Sequence, residues 1–134
     1  APADHPLASK RRNRIKLEEI GRYGLILPPR HLATWRMVEA VFQQHGVAYN
    51  VTLEAGGWEV IKKYVETGLG ISIVTDICLT GHEKLVRIPL DRFFAHRTYG
   101  VVLRREKHLL APARKFIEMM APTAAGELGV TSDG

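Results

Sequence analysis

The sequence is short of cysteine, of long apolar runs and of targeting signals. Its single cysteine, Cys78, excludes a disulfide framework within the chain and is compatible with a reducing compartment. No apolar run reaches the length needed to cross a membrane, and no signal-peptide pattern is present, so we expect no membrane partner. The length of 134 residues predicts one domain, and the 46% hydrophobic content is ordinary for a globular protein.

Catalytic and metal-binding motifs are also missing. The chain has no G-x-S-x-G elbow, no P-loop and no H-E-x-x-H pair. Its six histidines are scattered, and a single cysteine argues against a structural zinc site. We therefore predict a protein without catalytic activity, metal or cofactor. His31 lies in a candidate ligand turn and is interpreted as a surface or hydrogen-bonding residue, with a role as a base left open.

The formal net charge is +5, and much of the excess lies near the start of the chain. The basic residues there are Lys10, Arg11, Arg12 and Arg14. Such a cluster can contact nucleic acid, but no DNA-binding motif accompanies it. We favour a solvated linker and assign residues 1–15 to it.

Residues 51–74 are the most informative stretch, because they read as strand, glycine turn, helix and second strand. Apolar and polar residues alternate from Val51 to Glu54, as on a half-buried strand. From Trp58 the apolar residues recur at helical spacing, and Gly68 is placed to end the helix. The predicted buried stripe is Trp58, Ile61 and Val65, with Val60 and Tyr64 beside it. The predicted solvent side has the i,i+4 ion pairs Glu59–Lys63 and Lys62–Glu66.

The start of this helix is a candidate anion site. A strand, a helix and a strand joined by short turns form a right-handed unit with parallel strands. Ala55, Gly56 and Gly57 precede the helix, so no side chain caps its free N–H groups. Peptide dipoles put partial positive charge at that end, which favours an anion. The alternative is a tight turn whose N–H groups are covered by water, and the glycines do not have the spacing of a dinucleotide site.

The remaining pattern alternates strands and helices, which predicts an α/β fold with a mainly parallel sheet flanked by helices. We expect a short helical turn at 15–20, a strand at 23–27, a helix at 32–45 and a strand at 49–53 that pairs with the first. After residue 74 we expect a turn or short helix at 75–78, strands at 84–88 and 99–103, and a helix at 111–120. That last helix should bury Ala113, Phe116, Ile117 and Met120.

Ligands of such sheets bind beyond the carboxyl ends of the strands. The turns there are residues 28–34, 54–58 and 75–78. The candidate ligand-binding residues are Pro28, Pro29, Thr34, Gly56, Gly57, Trp58 and Thr75. The Thr34 hydroxyl could instead bond its own helix, and Trp58 could equally belong to the core.

Five segments resemble one known family. They are HPLA (5–8), LEEIGRYGLIL (17–27), VIKKYVETGLGISIV (60–74), RTYGVVLRR (97–105) and ARKFIEMM (113–120). The chain is similar over about residues 5–122 to the effector-binding domain of LysR-type transcriptional regulators, and to their CysB-like subgroup in particular.

The resemblance implies a periplasmic-binding-protein type II fold, in which two α/β subdomains clasp a small effector, often an anion. Residues 16–96 would be the second subdomain, and residues 97–121 would return to the first, most of which lies outside this chain. Residues 122–134 are expected to be a disordered tail. DNA would be bound by an N-terminal winged helix-turn-helix that is also outside these residues.

The resemblance further implies a cytoplasmic homodimer, or a homotetramer of the full-length protein. In the CysB-like pattern, hydroxyl residues hold the anion at positions that match Leu27 and Gly56, neither of which has a hydroxyl. We therefore do not assign sulfate or an acetylserine-like effector. Two other hypotheses are a fragment of an extracytoplasmic solute-binding protein and an α/β enzyme module that binds a phosphorylated substrate at Gly56 and Gly57.

Overall fold

The computed structural model describes residues 1–9, 15–97, 100–103 and 109–120. The chain divides into two compact units, Ala1–His96 and Arg97–Gly134. The basic cluster at 10–14 and the tail at 122–134 lie outside the described residues. Within the described ranges, no helix has the length and apolarity needed to cross a membrane.

The first unit alternates helices and strands. Its elements are α1 (Leu17–Gly21), β1 (Gly24–Leu27), α2 (Ala33–Gln44), β2 (Asn50–Glu54), α3 (Trp58–Glu66) and a 3₁₀ helix (Asp76–Cys78). The second unit contains α4 (Ala111–Met120). These elements confirm the predicted short helix near residue 17, both strands of the sheet, the helix from Trp58 and the last helix, most of them to within a residue or two.

The sheet is built around β1. β1 pairs in parallel with β2, in a register that runs from Gly24 opposite Asn50 to Leu27 opposite Glu54. On its other side, β1 forms a parallel bridge from Leu25 to Ile71. The pairing predicted between the first two strands is confirmed, and β1 is the central element.

Residues 71–74 do not form the full strand that we predicted. The Ile26 amide donates to the Ile71 carbonyl at 2.8 Å, and the Ile71 amide donates to the Gly24 carbonyl at 3.0 Å. The Ser72 hydroxyl donates to the Ile26 carbonyl at 2.7 Å. The Ser72 hydroxyl thus bonds the Ile26 carbonyl, which would accept the next backbone amide if the parallel ladder continued. The pairing therefore remains a single bridge.

Two further predicted strands are wrong. Within 84–88 the structure has one antiparallel bridge, from Pro2 to Leu85, and Pro2 has no amide hydrogen with which to extend a ladder. Residues 100–103 contain no strand, and Tyr99 lies outside the described residues.

Two apolar clusters cover the two faces of β1. Leu25 and Leu27 belong to a cluster with the inner side of α2, whereas Ile26 belongs to a cluster with α3. The α2 residues are Trp35, Val38, Val41 and Phe42, and the α3 residues are Ile61 and Val65. Full burial of each large apolar side chain contributes about 1.5–3 kcal/mol, so these two clusters hold the unit together. The predicted linker also contributes to the core, because Leu7 and Ile15 are buried.

The predicted polarity of α3 needs one correction. Ile61 and Val65 are buried as expected, and Trp58 is half-buried, but Lys62 is only 5% exposed. Lys62 lies four residues after Trp58 and three before Val65, so its methylene stem falls on the inner face while its ammonium group reaches carboxylates.

The ion pairs of α3 also differ from the predicted i,i+4 pattern. They join Lys62 to Glu59 and Lys63 to Glu66, both at 2.7 Å and both at i,i+3 spacing. Lys62 makes a further 2.7 Å pair with Glu83, which lies 21 residues along the chain. The hydrogen bond from the Lys62 ammonium holds the pKa of Glu83 well below its ordinary range.

Only part of the predicted stripe of α4 is buried. Ile117 is 6% exposed, whereas Phe116 and Met120 are 62% and 64% exposed. Ala113 is also exposed. Of the four side chains predicted to be buried, Ile117 is the one that is covered.

Gly24 allows β1 and β2 to pair in this register, and we predict that Gly24→Ala lowers the unfolding free energy. A Cβ at residue 24 would lie 1.8 Å from the Thr52 hydroxyl oxygen and 3.0 Å from the Thr52 Cβ. Such overpacking costs about 1–3 kcal/mol. Urea unfolding should show that Thr52→Ala in the Gly24→Ala background recovers part of the loss. Equal stability of Gly24→Ala and the unsubstituted protein would contradict this account of the pairing.

Candidate functional site

The carboxyl ends of the parallel segments meet at one edge of the sheet. There β1 leads into Pro28, β2 leads into Ala55, and the segment bridged at Ile71 leads into Thr75. Ligands of open α/β sheets bind beyond this edge. The three turns that we predicted as ligand-binding therefore follow strand segments that end on the same side of the sheet.

Two of these turns are joined by hydrogen bonds. The Ala55 amide donates to the Leu27 carbonyl at 3.0 Å. The Arg30 amide donates to the Glu54 carboxylate at 3.1 Å. The Glu54 side chain thus fixes the turn after β1 against the end of β2, a role that alternation along the strand did not reveal.

The start of α3 has the geometry that the sequence predicted. Gly57 is the N-cap residue, with φ +83° and ψ 134°, and no side chain caps the helix. A Cβ built at Gly56 or Gly57 meets nothing within 4 Å, and both residues are exposed. The turn is therefore open to the approach of a ligand, and N–H groups at an uncapped helix start can donate to an anion or to water.

The start of α2 lies at the same edge and is also uncapped. Its N-cap residue is Leu32, which makes no side-chain cap hydrogen bond. A helix of 12 residues and a helix of 9 residues thus direct their positive dipole ends to one edge of the sheet.

The proline and threonine candidates lie deeper than the glycines. Pro28 is buried and Pro29 is half-buried. Thr34 is 5% exposed, so it lies inside the packing of α2. Thr75 is half-buried, and its hydroxyl contacts the Cys78 sulfur at 3.3 Å. Trp58 is also half-buried and packs against the cluster of Ile26, so part of its ring serves the core.

Charged groups of both signs surround this edge. The Arg30 guanidinium carbon lies 4.9 Å from the centroid of the Trp35 ring, in cation–π geometry. Asp76, in the 3₁₀ helix after Thr75, pairs with Arg87 at 2.6 Å. Glu59 lies in the first turn of α3, but its carboxylate is engaged by Lys62. His31 is exposed in the turn before α2.

Sequence reasoning missed Glu54 and Arg30 as parts of this edge. Glu54 was the polar end of a strand, and nothing local predicts that it accepts the Arg30 amide. For Arg30 the signal was present, because an arginine five residues before a tryptophan at a helix start can reach the ring. Within the described ranges, no group of three or more His, Cys, Asp or Glu side chains could hold a metal ion.

Comparison with known protein families identifies the family of the chain. A model of the LysR substrate binding domain matches residues 1–125. The chain belongs to the LysR substrate-binding domain family. The family is one of regulator domains. This LysR domain has the α/β fold with a parallel sheet that the sequence pattern predicted, and it is of the periplasmic-binding-protein type II-like kind that the resemblance implied.

Two relatives from Burkholderia cenocepacia are transcriptional regulators by name. The HTH-type transcriptional regulator CysB is 32% identical over 124 residues, which cover 91% of this LysR domain chain and 39% of CysB. The HTH-type transcriptional regulator SsuR is 34% identical over 123 residues, which cover 90% of this chain and 39% of SsuR. The chain therefore spans about two fifths of the length of these curated relatives.

A solved structure shares the fold. The cofactor-binding domain of the Cbl transcriptional regulator matches with a TM-score of 0.70 at 23% identity. The match covers 99% of this LysR domain chain and 60% of the Cbl chain. At this identity the match shows the fold alone.

Gly57 and Gly56 form a matched pair for testing the helix start. We predict that Gly57→Ala lowers the unfolding free energy by about 1–3 kcal/mol, because residue 57 has φ +83° and an alanine there is strained. Gly56→Ala should change it by less than about 0.5 kcal/mol, because that position has open space and no positive φ. Urea unfolding of the two variants measures the difference, and equal losses would refute the assigned conformation.

Proposed function

We propose that the chain is the effector-sensing part of a LysR-type transcription regulator and binds a small anion at the carboxyl edge of its sheet. The ligand would lie over the Gly56–Gly57 turn, in contact with the first-turn amides of α3 and close to the start of α2. Binding would change the closure of the domain and so the way the DNA-binding modules of a dimer are held.

The observation that supports the site most directly is the open, uncapped start of α3. Its N-cap residue is a glycine at φ +83°, and no side-chain oxygen satisfies the first-turn amides. A capping side chain is the usual solution at a helix start and stabilises it by about 1 kcal/mol. Its absence at an exposed turn is expected where a ligand takes the place of the cap.

The charged side chains at this edge limit the size and the charge of the anion that can bind. The Arg30 guanidinium, held over Trp35, adds positive potential beside the turn. The Glu54 carboxylate is engaged by the Arg30 amide, so it stabilises the turn but also repels a large negative charge. A small ligand with one anionic group is therefore favoured over an extended polyanion.

We also propose the subdomain assignment that the resemblance implies. Residues 16–96 would be the second subdomain, and residues 97–121 would return to a first subdomain that lies mostly outside this chain. The exposed apolar side chains of α4, including Phe116, Met119 and Met120, support this assignment because they need a covering partner. The finer partners proposed are a homodimer and DNA bound by a separate N-terminal module.

The alternatives have weaker support. The relatives are named as regulators, which favours sensing over solute transport. The family consists in general of domains that bind and do not catalyse, so we propose that this chain is no enzyme. A regulator of this kind would work in the cytoplasm.

Thermal melting of the full-length effector domain tests the anion directly. We expect sulfate, phosphate or a small carboxylate to raise the melting temperature in a saturable manner, because a ligand at a hundred times its Kd adds about 2.7 kcal/mol. Chloride at equal ionic strength is the control. If none of these anions stabilises the domain beyond the chloride control, the proposed anion site is wrong.

The Gly56→Val variant tests the location of the site. A side chain at residue 56 has open space around it, so the variant should fold, but its methyl groups would occupy the approach to the amides. We expect binding of the stabilising anion to weaken about tenfold or more, which is a loss of about 1.4 kcal/mol. Gln44→Val, at the far end of α2, is the control and should bind normally. Normal binding by Gly56→Val would place the anion elsewhere.

A further inference from the structure

Residues 80–87, which we call the strap, lie along α3 and are held to it by two carboxylates. The Lys62 ammonium group donates a hydrogen bond to the Glu83 carboxylate at 2.7 Å. The Glu83 carboxylate also accepts the Thr80 amide, the Thr80 hydroxyl and the Gly81 amide, at 2.9, 3.0 and 2.9 Å. The side chains of Lys62 and Glu83 are only 6% and 10% exposed, so this pair is far less solvated than an ordinary surface ion pair.

A second carboxylate and an apolar contact extend the attachment. Glu66, one turn further along α3, accepts the Lys84 amide at 3.1 Å. Leu85 packs against the cluster that contains Ile61 and Val65. The strap is therefore attached to α3 by charge at Glu83, by a backbone hydrogen bond at Lys84 and by apolar packing at Leu85.

The other side of the strap contacts the entering segment, which we define as residues 1–9. Leu85 forms an antiparallel bridge with Pro2. The Val86 amide donates to the Ala1 carbonyl at 2.8 Å, and the Ala1 nitrogen donates to the Val86 carbonyl at 3.1 Å. The rest of the entering segment is a series of turns closed by short-range bonds, such as that from the Ala8 amide to the His5 carbonyl at 2.7 Å. Its buried Leu7 and the ring contact between His5 and Tyr23 also anchor it to the core of the first unit.

We propose that the strap is a coupling element, which transmits a displacement of α3 to the entering segment through the Lys62–Glu83 ion pair. A helix moves as a stiff unit, and Lys62 lies one turn from its start. A shift of α3 therefore moves Glu83, and with it the residues that pair with Ala1 and Pro2. The coupling rests on the proposed function only in its first step, where an anion at the start of α3 causes the shift.

The structure provides a matched pair of carboxylates on one ammonium group. Glu59 and Glu83 both lie 2.7 Å from the Lys62 nitrogen, but Glu59 is on the same helix and Glu83 is on the strap. Removing Glu83 breaks the ion pair between the two elements and leaves Lys62 paired with Glu59, while the contacts at Lys84 and Leu85 stay in place. Removing Glu59 leaves the connection in place.

Amide hydrogen exchange in the full-length protein without ligand tests the coupling. In Glu83→Ala we expect the Gly81 amide, which loses its acceptor, to exchange about tenfold faster or more. The decisive sites are the Val86 and Ala8 amides, which do not contact Glu83 and should accelerate as well. Glu59→Ala should leave all three rates close to those of the unsubstituted protein. Glu83→Gln keeps an acceptor oxygen but loses the ion pair, so it should stay folded even if Glu83→Ala does not. It should accelerate exchange of the same amides to a smaller extent.

Acceleration of Gly81 alone, with Val86 and Ala8 unchanged, would overturn the proposal, because Glu83 would then be only a local cap of its loop. Equal effects of Glu59→Ala and Glu83→Ala would overturn it as well. A second arm uses inorganic sulfate as the probe. Sulfate should change the Val86 exchange rate in the unsubstituted protein and leave it unchanged in Glu83→Ala. If sulfate does not bind the unsubstituted protein, the proposal that the site binds sulfate is wrong. The exchange rates measured without ligand still test the coupling.

Discussion

The burial of β1 between two helices is the constraint on which the first unit depends. Leu25, Ile26 and Leu27 are each fully buried, and they alternate between the cluster of α2 and the cluster of α3. A strand buried on both faces must satisfy its backbone by pairing at both edges, and β1 does so with β2 and with Ile71. Parallel pairing then places the ends of the strands, and the starts of the helices that follow them, at one edge.

This geometry produces a candidate site without a dedicated binding side chain. Among the described residues no side chain caps the start of α3, because Ala55, Gly56 and Gly57 offer no capping oxygen. Two hydrogen bonds stabilise the surrounding turns: the Ala55 amide donates to the Leu27 carbonyl, and the Arg30 amide donates to the Glu54 carboxylate. Backbone donors whose turns are held in this way need little local reorganisation when an anion binds.

The sequence predicted the parts of the fold that depend on local periodicity. The spacing of Trp35, Val38, Val41 and Phe42 predicted α2, and the alternation around Val51 and Leu53 predicted β2. Prediction from the sequence failed where a residue far along the chain determines the local structure. Lys62 is buried because Glu83, 21 residues away, pairs with it. The strand at 71–74 stops at one bridge because the Ser72 hydroxyl takes the Ile26 carbonyl. For the site, the glycine turn was predictable from Gly56 and Gly57, whereas the burial of Thr34 and the role of Glu54 required the packed structure.

The central claim is that the first-turn amides of α3 receive a small anion. A titration of the ¹⁵N-labelled full-length effector domain with sulfate or phosphate, followed by two-dimensional NMR, tests it most directly. The account predicts saturable shifts that are largest at the amides of Gly57, Trp58 and Glu59, with smaller shifts at the start of α2. Shifts that are absent, that do not saturate, or that are largest on the opposite edge of the sheet would contradict it.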